Sequence, residues 1–259
     1  MNKQNLFRRA SFFFTLLLLP IVGTAGCEGD DGPVGHQGQP ATLSISNAAS
    51  IVPAITSASI SSPPKVHFKL TNENATPLVG LSASNISFAI ARLAAGGNGS
   101  EWQSYLTRTE TADGIGPGTA DQIQAATENG ASGTLLDHGD GTYTYTFAAD
   151  LDKAAVPFDA TLTHRVGFEI RGLAETTGNA VYTFRPSDGA TTGLLSRDIV
   201  KDTSCNACHD KLSLHGGARF ETKYCVLCHN PGSTDANSGN TLDFKIMIHK
   251  IHRGENLPS

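Results

Sequence analysis

A mainly β N-terminal domain followed by an irregular, partly helical segment is the fold class that this 259-residue sequence predicts. From about Ala41 to Arg197 short apolar–polar alternations are separated by Gly, Asn, Asp and Pro, the pattern of an immunoglobulin-like sandwich or split barrel. Beyond Arg197 the alternation stops, five of the nine histidines fall between His209 and His252, and Cys-x-x-Cys-His is spelt twice. The two copies are Cys205-Asn206-Ala207-Cys208-His209 and Cys225-Val226-Leu227-Cys228-His229. That spelling is the attachment signature of c-type haem, so the second segment is predicted to be part of a multihaem c-type cytochrome.

Residues 1–26 carry Lys3, Arg8 and Arg9, an apolar run from Phe12 to Val22, and then Gly23-Thr24-Ala25-Gly26. This is the layout of a secretory signal of lipoprotein type. The apolar run is shorter than the roughly 20 residues that a spanning helix needs. Cys27 follows where a bacterial lipoprotein signal is cut and is the candidate lipidation site, although Thr24 stands where such signals usually carry leucine. Ordinary cleavage nearby, leaving an unpaired thiol, is the alternative. Residues 27–40 form a Gly-rich linker whose four glycine triplets are too few for a triple helix. With few apolar side chains to offset ordering entropy, it reads as a tether, and His36 within it as solvated.

In the β domain, 41–197, the segments Lys65–Leu70, Ile86–Ala91 and His164–Ile170 each alternate with one apolar face. A hairpin is predicted around Asp137-His138-Gly139-Asp140-Gly141, where Asp-Gly supplies the positive-φ turn and Tyr143, Tyr145 and Phe147 share one strand face. Between Gly96 and Gly130 a long loop is expected, interrupted by a short strand from Trp102 to Thr107, with Trp102 in the core. His67, His138 and His164 are expected to be structural or solvated, and Glu110, Asp113 and Asp121 are too scattered for a calcium loop. Residues 28–197 hold nine basic against seventeen acidic side chains, and 198–259 hold seven of each. Nothing in that balance suggests a nucleic-acid partner. The absence of cysteine from 28 to 204 leaves the β domain to stand on its core.

In the dihaem portion, 198–259, two thiols two residues apart can add to the two vinyl groups of one haem, and the next histidine meets the iron. Cys205, Cys208, Cys225 and Cys228 are therefore the covalent positions of two haem c groups, and His209 and His229 the proximal iron ligands. The four cysteines also fit C-x2-C-x16-C-x2-C, the spacing of a four-thiolate zinc ribbon. The histidine after each motif, the further histidines and the export signal favour haem. His215, followed by Gly216-Gly217, and His249 and His252 on a short helix from Leu242 to His252 are the distal candidates. His249 and His252 lie three apart on one helical face and cannot approach one iron from opposite sides. Three candidates for two irons leave one for a haem encoded beyond this chain, or for a hydrogen bond to a propionate. An iron held by two histidines has no open position, which points to electron transfer rather than catalysis. A haem-dependent reductase with an open iron, or an exported β-domain binding module with a four-cysteine zinc site, are the rival functions.

The stretch from Cys205 to Ser259, with Leu-His-Gly-Gly around His215, Tyr224-Cys225-Val226-Leu227-Cys228-His229-Asn230-Pro231, and Asp243 to His252, resembles the OmcA/MtrC family of outer-surface decahaem cytochromes. The Gly133–Phe147 hairpin and the lipoprotein-like start are similar too. The resemblance implies a β-sandwich or split-barrel domain before a multihaem domain, and a lipid anchor holding the protein at the cell surface on the outer membrane, with a periplasmic location as the alternative. It also implies electron delivery from a donor cytochrome or outer-membrane conduit to extracellular acceptors such as metal oxides or flavins. The family carries ten haem motifs and this chain two, so the expectation is the N-terminal portion of a longer protein.

Overall fold

The computed structural model describes residues 41–97, 99–173 and 176–254. The signal, the candidate lipidation site Cys27, the linker and His36 lie outside them. Thirteen strands are defined among the described residues: β1 Leu43–Ser44, β2 Val52–Ser59, β3 Lys65–Thr71, β4 Leu78–Val79, β5 Ile86–Gly96, β6 Gly99–Ser104, β7 Thr107–Glu110, β8 Gln122–Ala125, β9 Glu128–Asn129, β10 Thr134–Asp137, β11 Thr142–Thr146, β12 Thr163–Leu173 and β13 Thr176–Phe184. Two antiparallel sheets face each other. One runs β10-β11-β3-β2; the other runs β13-β12-β5-β6, with β9 also paired to β5.

The core lies between them, built by the predicted alternation. In β3, Val66, Phe68 and Leu70 point inward while Lys65, His67 and Lys69 face out. The hairpin forms as its sequence dictates, with Gly139 and Gly141 at φ 78° and 84° and Tyr143, Tyr145 and Phe147 buried on one face. Phe88 of β5 stacks on Tyr145 with ring centres 4.0 Å apart, and Phe68 lies 4.9 Å from Phe168 of β12. Burying one such side chain contributes about 1.5–3 kcal/mol relative to exposure, which is how the domain stands without disulfides.

The expected long loop between Gly96 and Gly130 is instead threaded with β6, β7, β8 and β9. Its polar composition hid the strands because β7 and β8 pair with each other at the periphery, where Arg108 and Gln124 face one another in register. Trp102 is core, as expected, and its indole N–H donates to the Arg197 carbonyl at 3.0 Å. His164 is structural: it is buried, 2.8 Å from the Tyr105 hydroxyl and 3.0 Å from the Leu162 carbonyl. His67 and His138 both meet the Thr144 hydroxyl, at 3.0 and 2.9 Å.

The second sheet departs from the sequence reading. β5 and β12 alternate in chemistry, yet both of their faces are buried over most of their length. Ile86, Phe88, Ile90, Val166, Phe168 and Ile170 face the core, while Ala89, Ala91, Arg165, Gly167 and Glu169 form an outer face that is covered. The described residues belong to one compact unit, and what covers that face is the Cys-x-x-Cys-His segment. Among the described residues no helix is long and apolar enough to cross a membrane.

Candidate haem sites

Each motif begins in one turn of helix, α1 Asp202–Cys205 and α2 Thr222–Cys225. The same backbone bonds close both motifs. The N–H groups of Cys208 and His209 donate to the Cys205 carbonyl at 3.1 and 3.0 Å, and those of Cys228 and His229 to the Cys225 carbonyl at 3.2 and 2.9 Å. A third helix, α3 Phe244–Arg253, starts at Asp243, whose carboxylate accepts from the Lys245 N–H at 3.0 Å, and stops at Gly254 in the left-handed conformation.

The second motif is seated on the outer face of the β12 sheet. Tyr224, Val226, Leu227 and Phe244 pack against Ala89, Ala91, Leu93 and Trp102. Gly167 makes this approach possible, since a Cβ there would lie 2.7 Å from the Tyr224 ring. The polar residues of the face grip the same segment. Arg165 donates to the Lys223 carbonyl at 3.3 Å and to Asp198 at 2.8 Å, with its guanidinium 4.5 Å from the Trp102 ring centre. Glu169 is paired with Arg219 and lies 3.6 Å from Arg171. The Asn179 amide of β13 donates to the Ala218 carbonyl at 2.7 Å and accepts from the N–H groups of Phe220 and Glu221 at 3.0 and 3.3 Å. Arg165, Glu169, Asn179 and Arg219 were not singled out by sequence reasoning. The available signal was the mid-strand glycine flanked by Arg165 and Glu169, which marks a close backbone approach rather than a solvated face.

The histidines are sorted into pairs. His215 lies opposite His229 with ring centres 5.9 Å apart, and His252 opposite His209 at 6.2 Å. A metal–imidazole bond of about 2 Å on each side, plus about 1 Å from each nitrogen to its ring centre, spans about 6 Å. Both pairs therefore stand at the spacing of two axial ligands on one iron, and the residues fit a haem at each motif. His249 and His252 give Nδ1 to the carbonyls of Lys245 and Ile248 at 2.7 and 2.9 Å, which leaves Nε2 as the free ligand atom. His249 joins neither pair. Nδ1 of His229 is buried without a hydrogen-bond partner.

Electrostatics suit neutral ligands at the buried site. Burial, with His215 adding to it, pushes the His229 imidazole down to about 4. His215 is more open to solvent, yet partial desolvation and then the Arg219 charge lower it as well. Burial pushes the Cys225 thiol up to about 12 and the Cys228 thiol up to about 11, so both are neutral thiols in the protein alone. Among the described residues no three His, Cys, Asp or Glu side chains converge as ligands of a metal ion. The four cysteines are thus two separate pairs, not the corners of one tetrahedron. A narrow cleft walled by His215, Arg219, Tyr224, Phe244 and Met247 adjoins Cys225, Cys228 and His229.

A β-sandwich that seats one Cys-x-x-Cys-His turn on its outer face, with a second such turn just before it in the chain, defines a module of a multihaem cytochrome. The OmcA-like N-terminal domain model matches residues 53–191, and that of outer membrane cytochrome MtrC/MtrF-like domains II/IV matches residues 197–257. The chain belongs to the OmcA/MtrC family of outer-membrane cytochromes. It is 33% identical over 210 residues to multihaem cytochrome MtrC of Shewanella baltica strain OS185, covering 76% of this chain and 29% of that protein. The crystal structure of the outer membrane decahaem cytochrome OmcA matches with a TM-score of 0.74 at 30% identity, over 81% of this chain and 34% of that one. The crystal structure of MtrC from S. baltica OS185 matches at 0.60 and 29%, over 80% and 33%. The chain thus spans about a third of the length of these relatives.

Proposed function

We propose that this chain is an exported electron carrier that binds two haem c groups, one at Cys205, Cys208, His209 and His252 and one at Cys225, Cys228, His229 and His215. The observation that carries the reading is the spacing of the two histidine pairs, 6.2 and 5.9 Å between ring centres. Each haem supplies a one-electron iron couple. If His209 with His252 and His229 with His215 held the two irons, neither iron would keep an open position, so transfer would be outer-sphere and no catalytic residue would be needed. His249, with Nε2 free, is assigned to an iron outside these two sites.

Membership of the family supports a place at the outer membrane, with Cys27 as the lipidated anchor and 27–40 as the tether. The donor is then a cytochrome or conduit of that membrane, and the acceptor an extracellular metal oxide or flavin. The full chain, matured in a periplasm with haem-attachment machinery, tests the reading by haem-stained denaturing gel and reduced-minus-oxidised absorption. Two covalent low-spin haems per chain are expected; colourless protein holding one zinc would overturn it.

A further inference from the structure

We propose that the β domain positions an iron ligand: Glu169 of β12, acting through Arg219, holds the Leu214–Arg219 loop so that His215 faces His229. The proposal rests on the assignment of His215 as distal ligand and gives the sandwich a role in setting the second site. The loop needs holding. His215, Gly216 and Gly217 have φ of 53°, 74° and 89°, three consecutive residues in the left-handed region, and a non-glycine residue there costs on the order of 1 kcal/mol unless its surroundings fix it. Nothing on the exposed side of the loop does so. His215 and Gly216 are exposed, and no atom stands within 4 Å of where a Gly216 Cβ would be.

The fixing comes from its base. Leu214 and Arg219 exchange backbone hydrogen bonds at 2.9 and 3.1 Å, closing the loop on Arg219, and Ser213 Oγ donates to the Gly217 carbonyl at 2.7 Å. The Arg219 guanidinium then donates through Nε and Nη2 to both oxygens of Glu169, whose side chain is wholly buried. Asn179, directly opposite Glu169 in the β12–β13 register, takes the Ala218 carbonyl and the N–H groups beyond it. A bidentate, two-oxygen pair fixes the direction of a guanidinium as well as its distance. A loop closed on that guanidinium inherits the fixed frame of the sheet, as ligand-bearing loops on rigid scaffolds do.

The test compares the full-length holoprotein with Glu169→Gln, with the double variant E169Q/R219Q and with His215→Ala as the reference for a lost ligand. The double variant removes both buried charges together, which such sites tolerate better than the loss of one, so it reads positioning where E169Q fails to fold. The readouts are carbon monoxide binding to the reduced protein and the ferric high-spin band, neither of which a merely docking role would move. The parent is expected to bind none and the H215A variant about one per chain, with E169Q and E169Q/R219Q falling between while two haems stay covalently attached. Folded variants that stay fully low-spin would overturn the positioning role and leave the pair as a docking contact. A parent that already binds carbon monoxide, or an H215A protein that does not, would instead overturn the ligand assignment on which it rests.

Discussion

The two haem motifs have the same local geometry and opposite surroundings. Around Cys225–His229 the chain buries Tyr224, Val226, Leu227 and Asn230, whereas around Cys205–His209 it leaves Ser204, Asn206, Ala207, Cys208 and His209 exposed. The same backbone hydrogen bonds close each turn, and the two residues between the cysteines decide whether that turn joins a core. Val226-Leu227 face Ala89, Ala91 and Leu93 of the sheet; Asn206 instead turns its side-chain oxygen to the Leu212 N–H at 2.8 Å. The second site is therefore an extension of the sandwich. The first is held by its own turn and by the Asp202 carboxylate, which accepts from the Thr222 N–H at 2.6 Å, and it faces His252 of α3.

The sharpest way to break this comparison is to exchange the residues inside the motifs. Leu227→Ala removes a fully buried side chain and is expected to cost about 2–5 kcal/mol, the usual penalty for such a cavity. Ala207→Leu adds bulk at an exposed position and is expected to stay within about 0.5 kcal/mol of the parent. Denaturant unfolding of the two holoproteins, with haem stoichiometry checked on each, reads the difference. Equal losses would mean that both motifs are core and that the contrast between them is false.

A smaller effect should come from the sheet side. Gly167→Ala places a Cβ against the Tyr224 ring, and because that ring is enclosed it cannot swing away. Overpacking of this kind costs about 1–3 kcal/mol. Gly239→Ala, with open space around it but φ of 68°, is a control for backbone strain alone and should cost less. The thermal midpoint decides, and it should fall further in G167A than in G239A if the sheet face is the seat of the second motif.

Gly167 also shows what could be read in the sequence and what could not. The alternation of β3 and β11 and the Asp-Gly turn are local signals, set by residues close in the chain, and the structure has them as predicted. The proposed proximal ligands are local in the same sense, since Cys-x-x-Cys-His is contiguous and each copy folds into the same hydrogen-bonded turn. The outer face of β12 is not, because Arg165 and Glu169 look solvated until residues 198–224 are folded over them. Likewise the pairing of His215 with His229 and of His252 with His209 depends on where a loop and a helix come to rest, and sequence spacing could only forbid His249 and His252 from sharing an iron.

The Arg165–Asp198 pair also seats the haem segment, and its pH dependence sharpens where the seat ends. Arg165 is buried but Asp198 keeps 36% of its side chain exposed, so solvent screens the attraction and its loss should cost at most about 1 kcal/mol. Burial pushes the Asp198 carboxyl up, but the hydrogen bond and charge of Arg165, with Lys223 beyond, outweigh it and hold the group below its ordinary 3.8. A carboxyl depressed in the folded state stabilises fully above its unfolded value, and that contribution is lost as the pH falls below 3.8 through the lower folded value. Asp198→Asn should therefore lower the unfolding midpoint slightly at neutral pH and flatten the acid limb of stability against pH below about 4. Paired unfolding curves at about pH 7 and about pH 3 measure both effects. If D198N matches the parent at both, the linker after Arg197 lies on the sheet without holding it, and the seat begins at Lys223 and Tyr224.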